Sequence, residues 1–144
     1  MPGSGRDAPL LDVAHFSVLI DDIEIPFSSV GSLTSETDPP DDGQARYRTV
    51  VFRRALGTSK DLFRWREAVA GGKRDTRRVI IRQLDPTGER IVNAWALEGA
   101  WPCRWSVPAF DAGEAGVAME EMELAFDRLE WIDEEEVGRD GGPA

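Results

Sequence analysis

WALEGAWPCRWSVPAFDAGEAGVAMEEMELAFDRLEW, residues 95–131, is the stretch whose reading decides the fold. It carries four of the five tryptophans, Trp95, Trp101, Trp105 and Trp131. Pro102 and Pro108 forbid a regular helix between them and favour extended backbone just before each. Trp101 and Trp105 are large apolar bodies that need a partner surface. A loop, Asp111 to Gly116, leads into an amphipathic run from Val117 to Trp131. That run reads two ways. Met119, Met122, Phe126 and Leu129 fit one helix face, and propensity favours helix for Met-Glu-Glu-Met-Glu-Leu-Ala. Met122, Leu124 and Phe126 also fit a strand, with Glu121, Glu123, Ala125 and Asp127 on its other face.

Upstream, Arg90 to Ala100 alternates, with Ile91, Asn93, Trp95 and Leu97 on one side. It pairs as a hairpin with Asp75–Leu84 across the turn Asp85-Pro86-Thr87-Gly88. Before that pair lies the best helix in the chain, Lys60 to Val69, within a block of about residues 59–70. Thr58 or Ser59 is its expected cap, and Gly71-Gly72 its stop. Leu62, Phe63, Arg66 and Val69 form its compact stripe, with Trp65 beside it. Arg46 to Leu56 reads as a strand whose imperfect alternation leaves the register open. Ala14 to Phe27 reads as a hairpin turning at Asp21-Asp22, with Phe16, Val18 and Ile20 on one face. Residues 35–43 form an exposed acidic, proline-bearing loop. It lacks the ligand order of a calcium loop.

At 144 residues the chain suggests one domain, 12–132, between a flexible N-terminal arm, 1–11, and an acidic tail, 133–144. No signal-peptide core is visible and no apolar run approaches the length of a membrane span, so a soluble protein made in the cytoplasm is expected. The single cysteine, Cys103, excludes an internal disulfide and reads as a small buried hydrophobe. The single histidine, His15, lies out of phase with the apolar face and suits the rim of the fold. No convergent acid–base set, phosphate loop, metal cluster or Ser-His pair is present, so no catalytic residue, no cofactor and no metal is expected. The net charge of −10 is unevenly spread: Arg46 to Arg82 is basic, and the chain from Asp111 onward is acidic. This distribution has three readings. Basic and acidic strands neutralise each other within one sheet, or meet between copies, or the basic block binds nucleic acid. The overall acidity and the absence of a recognition motif weigh against the last.

The order of these segments resembles the T4-like tail tube family of contractile phage tails, which includes the inner-tube proteins of extracellular contractile injection systems. The pieces are Phe16-Ser17-Val18-Leu19-Ile20-Asp21, Phe27-Ser28-Ser29-Val30, Ser59 to Trp65, Asp85 to Glu89, Ala100 to Trp105, and Ala118 to Ala125, spread over residues 14–131. The resemblance implies a mainly β fold, an antiparallel sandwich or barrel with one flanking helix. It implies that Val117–Trp131 is a long strand, since burial in a sheet overrides helix propensity. It further implies a structural subunit, not an enzyme: six copies in a ring, and rings stacked into a tube with a channel for DNA or effector passage. The partners implied are other copies, sheath and baseplate proteins, with cargo only as a passenger and no membrane. The short acidic segment Glu36–Gly43 departs from the family pattern and leaves a tube-end adaptor as the alternative. A small-ligand barrel is a more distant one.

On this reading the candidate subunit or ring-stacking contacts are Glu36, Asp38, Asp41, Asp42, Arg46, Arg48, Arg53 and Arg54. The candidate lumen or interface face is Glu120, Glu121, Glu123 and Asp127. The expected core includes Phe16, Val18, Phe63, Trp95, Trp101, Trp105, Leu124 and Phe126.

Overall fold

The computed structural model describes residues 11–36 and 48–133. The expected flexible arm and acidic tail, and Asp38, Asp41, Asp42 and Arg46, lie wholly or almost wholly outside these residues. The elements are β1 (Phe16–Ile20), β2 (Ile23–Glu24), β3 (Ser29–Val30), β4 (Arg48–Ala55), α1 (Asp61–Ala70), β5 (Arg77–Leu84), β6 (Ile91–Ser106), β7 (Met119–Phe126) and β8 (Arg128–Ile132). All pairings are antiparallel, in the order β2-β1-β5-β6-β7-β4-β3, with β8 also on β6. The ends of this path belong to one continuous segment. Ile25 N–H donates to Val18 O at 2.9 Å, and three residues on Ser28 N–H donates to Arg53 O at 2.7 Å. The chain thus leaves β1 and joins β4, and the sheet closes into a barrel.

The first hairpin turns where expected. Asp21 (φ 48°) and Asp22 (φ 70°) both take left-handed backbone, the geometry of the tight turns that match strand twist. Val18 and Ile20 from β1, Val50 and Phe52 from β4, Val79 and Ile81 from β5, and Met122, Leu124 and Phe126 from β7 fill the interior. Leu62 and Trp65 of α1 join this core. Leu19, Ile80, Ala94, Ala96 and Ile132 are buried in a second cluster on the other face of the sheet. Long polar side chains lie over that face: Arg82 Nε donates to Ser17 Oγ at 2.8 Å and Arg78 Nε to Glu98 Oε2 at 2.9 Å. Strands buried on both faces read as unbroken apolar runs, as Val18-Leu19-Ile20 and Val79-Ile80-Ile81 do.

The 95–131 stretch is extended throughout, apart from its loop. β6 continues through Pro102, which pairs with Leu124 beside a register shift. A proline is tolerated in a strand at such an irregularity. The last run is strand, not helix. It is divided at Asp127 into β7 and β8, yet both halves keep one register along β6: Trp101 faces Ala125 and Glu98 faces Arg128. Between them Asp127 N–H donates to Glu98 O at 2.9 Å. Gly99 stands opposite the break with φ +66°, and a Cβ there would lie 2.3 Å from Asp127 Oδ2. The positive φ is what favours glycine, since the carboxylate of the exposed Asp127 can swing aside at smaller cost.

Three expectations about packing change. The helix begins at Asp61 behind Lys60, with no side-chain cap; the best that Ser59 Oγ does is accept the Asp61 N–H at 3.4 Å. Trp65, not Phe63, is the aromatic that α1 buries. Trp65 is 2 % exposed and Phe63 is 37 % exposed. The indole N–H of Trp65 donates to Asp75 O at 2.8 Å, and the Arg77 guanidinium lies 4.4 Å from its ring centre. Phe16, Trp95, Trp101 and Trp105 are half-buried, not part of the fully enclosed core. Val18, Leu124 and Phe126 are fully enclosed.

Candidate assembly surfaces

The charged residues of β4 and β7 meet because the two strands pair in register, Arg53 opposite Glu121 and Arg54 opposite Glu120. Alternation then sends them to opposite faces. Glu120 follows Met122, Leu124 and Phe126 inward and is 2 % exposed. Its carboxylate accepts from Arg54 Nε at 2.7 Å and from the Trp105 indole N–H at 2.7 Å. Arg54 also donates to Asp61 Oδ1 at 2.6 Å. One buried carboxylate therefore ties the end of β4, the end of β6, the start of β7 and the first residue of α1. Phe63 adds an edge contact to Trp105 at 4.8 Å between ring centres. Burial pushes Asp61 up, but the hydrogen bonds from Arg54, Ser59 and the Leu62 N–H hold its carboxyl below the ordinary range. Burial likewise lowers Arg54, and its two carboxylate partners more than offset this and raise it.

Glu120 is thus removed from the candidate lumen or interface face, because a carboxylate enclosed in its own protomer presents nothing outward. Arg54 is committed inside the protomer in the same way. Glu121 is half-buried on the outer face, where Arg53 Nε meets it at 2.8 Å and Arg104 at 3.6 Å. Glu123 stands two residues on along the same face, half-buried and opposite Val51. Asp127 is exposed at the β7–β8 break. Glu36 is exposed in the extended segment after β3, and Arg48 is half-buried at the start of β4. Arg54 with Glu120 on the inner face and Arg53 with Glu121 on the outer face are therefore two ion pairs back to back, with Glu123 beside the outer one. Asp127, Glu36 and Arg48 lie apart from the paired carboxylates and guanidinia.

Reading the sequence missed Asp61 as a member of the buried network and took Trp105 for core alone, without its bond to Glu120. The available signal was the pairing of a basic strand with an acidic one. What the sequence could not supply was the register that brings Arg54 onto Glu120.

At the mouth of the barrel near the β5–β6 turn lies a cleft of about 400 Å³, lined by His15, Phe16, Val30, Ile81 and Trp95 among others. His15 is a rim residue there. Its Nδ1 lies 3.2 Å from Asp12 Oδ1, and this contact is the main cause of the lowered Asp12 carboxyl. Cys103 is half-buried, its S–H facing Glu123 O at 3.5 Å. Burial pushes its thiol up, which disfavours the nucleophilic thiolate. Among the described residues no three His, Cys, Asp or Glu side chains gather into a metal-binding group. No helix there is long and apolar enough to cross a membrane.

The class of fold is an antiparallel β-barrel with one docked helix, whose charged strands neutralise each other internally. The family is given by the sequence itself. The family model described as T4-like virus tail tube protein gp19 matches residues 13–130, and the chain belongs to that family. As a member of that family it is a structural protein, not an enzyme. The fold is similar to a chain of the PVC extracellular contractile injection system sheath–tube complex in the extended state. That match has TM-score 0.72 and 23 % identity, and covers 85 % of this chain and 91 % of that one. The PVC sheath/tube terminator gives TM-score 0.76 and 23 % identity over 88 % and 99 %. The anti-feeding prophage tube-terminating cap gives 0.72 and 19 % over 92 % and 99 %. No curated protein sequence matches the chain.

Proposed function

We propose that the chain is the repeating subunit of the inner tube of a contractile phage tail or injection system. Six copies form a ring, and rings stack around a channel through which DNA or effector passes. The observation that carries this reading is the family match across residues 13–130. The free sheet edges support it. Among the described residues β8 pairs only with β6, and β2 and β3, which end the hydrogen-bonded path, pair with one strand each. These edges differ in sequence, so a contact between them is heterologous, the kind that closes into rings. Sheath and baseplate proteins are the further partners. The likeness to the PVC terminator supports a second reading, a subunit that ends the tube.

Electron microscopy of the purified protein, with mass from light scattering, tests the proposal. Six-membered rings or tubes are expected. A strictly monomeric protein at high concentration, with or without a baseplate to nucleate it, overturns it. Rings that stay single, and that bind the end of a preformed tube, select the terminator.

A further inference from the structure

Helix α1 and the turn after it carry a cluster of cations, centred on Lys60 and Arg64, of which Lys73 lies close enough to Asp75 to help lower its carboxyl. Lys60, Arg64, Lys73 and Arg74 are exposed and Arg66 is half-buried. None of the five forms an ion pair with a described residue. The acids nearby are already engaged: Asp61 with Arg54 at 2.6 Å and Asp75 with Arg77 at 3.0 Å. Glu67 alone remains on the helix. By contrast Arg53, Arg54, Arg77, Arg78, Arg82 and Arg128 each meet a carboxylate. Arg48 and Arg90 also form no ion pair with a described residue, but these five cations lie together on one helix and the turn after it.

The same chain holds the complementary segment. Asp133, Glu134, Glu135 and Glu136 come directly after β8. We propose that the basic face of α1, centred on Lys60 and Arg64, docks the Asp133–Glu136 segment of a second copy of the chain. Reach decides between the same copy and another. β8 ends at Ile132 opposite Ala94, whereas the start of α1 lies at the other end of β6, where Phe63 touches Trp105. From Ala94 to Trp105 the strand spans about 35 Å at roughly 3.3 Å per residue. Four residues beyond Ile132 reach at most about 14 Å. The acidic segment falls short of its own Lys60 and is left to meet a neighbour's. Exposed ion pairs contribute little each. Several together fix register and orientation between copies.

The inference rests on the reading that copies assemble, and the test keeps the two apart. Full-length protein labelled with ¹⁴N is mixed with ¹⁵N protein and assembled. A carbodiimide then couples amines to touching carboxylates, and peptides are read by mass spectrometry beside micrographs of the same sample. Mixed-isotope links from Lys60 to residues 134–136 are expected. Arg64→Glu, which leaves Lys60 in place on an exposed position, should lower their yield about tenfold, as should about 0.5 M salt. Rings without Lys60 links, or links only within one isotope, overturn this inference and leave the tube reading standing. A sample with neither rings nor links overturns both.

Discussion

Glu120 makes the most exposed prediction of this structure. Replacing it with alanine removes a carboxylate that is 2 % exposed and holds two donors, Arg54 Nε and the Trp105 indole, each at 2.7 Å. Breaking a buried charge pair from one side costs about 3–5 kcal/mol, because the remaining charge stays desolvated. Arg54 keeps Asp61, which lies partly in solvent, so the low end applies to the guanidinium. The orphaned Trp105 N–H adds about 1–3 kcal/mol. The expected loss is therefore about 4 kcal/mol, a large share of a typical domain's stability. Glu120→Gln keeps a partner for the indole and should cost about half as much. Glu120→Leu with Arg54→Met removes both charges and should cost less than the two single changes added together. Urea denaturation followed by tryptophan fluorescence reads all of these. A Glu120→Ala protein within about 1 kcal/mol of wild type, or strictly additive single and double changes, would refute the claim that one buried carboxylate joins four elements.

Glu121→Ala, at the outward pair with Arg53, should change stability by no more than about 1 kcal/mol in the same denaturation experiment. Trp65→Ala should cost about 3–5 kcal/mol and Phe63→Ala clearly less, because only the first is enclosed. Gly99→Ala should cost about 1–3 kcal/mol through its φ and its clash with Asp127. Asp127→Ala should relieve the clash but not the backbone strain, so the double variant recovers only part of the stability. Asp61 titrates below the ordinary carboxylate range in the folded protein, so its contribution is present above the unfolded value near 4 and fades as pH falls through the folded one. Helical circular dichroism on acid titration checks this, and Asp61→Asn should flatten the curve below about pH 4.

The sequence exposes whatever obeys a simple period. β1, β5 and the start of β6 are strictly extended runs with turns of recognisable chemistry, Asp21-Asp22 and Asp85 to Gly88, so both hairpins stand in the sequence. The helix is legible from its glycine stop and its apolar spacing. The end of β6 is not. The strand passes three register irregularities, two in its pairing with β5, between Arg77 and Val79 and between Gln83 and Leu84, and one in its pairing with β7 between Pro102 and Arg104. Each adds a residue to one side and re-aims the side chains beyond it. Inward positions then fall at Leu97, Ala100, Pro102 and Trp105, a spacing that matches neither strand nor helix. Phe63 misled for a different reason: it has the right spacing for the core, but the barrel end that receives α1 has room for Trp65 and leaves Phe63 on the rim beside Trp105.

Charge shows the same division between what a pattern states and what a register decides. The basic β4 and acidic β7 invite the idea of complementary faces on separate copies, yet pairing Arg48–Ala55 with Met119–Phe126 consumes their central charges inside one protomer. A charge reversal at Glu120, Glu121 and Glu123 together would therefore unfold the barrel before it reported on assembly. Reversal at Glu123 and Asp127 alone leaves the buried network intact and tests the outer surface. The charges left for contacts between copies are those whose strand or helix neighbours offer no opposite, and those on α1 and past the end of β8 are among them. A helix tied to the barrel by a buried carboxylate is a rigid platform for such contacts, since Glu120 and Arg54 fix the first turn that carries Lys60 and Arg64. Loss of that carboxylate should then weaken association between copies even at temperatures where the barrel itself stays folded.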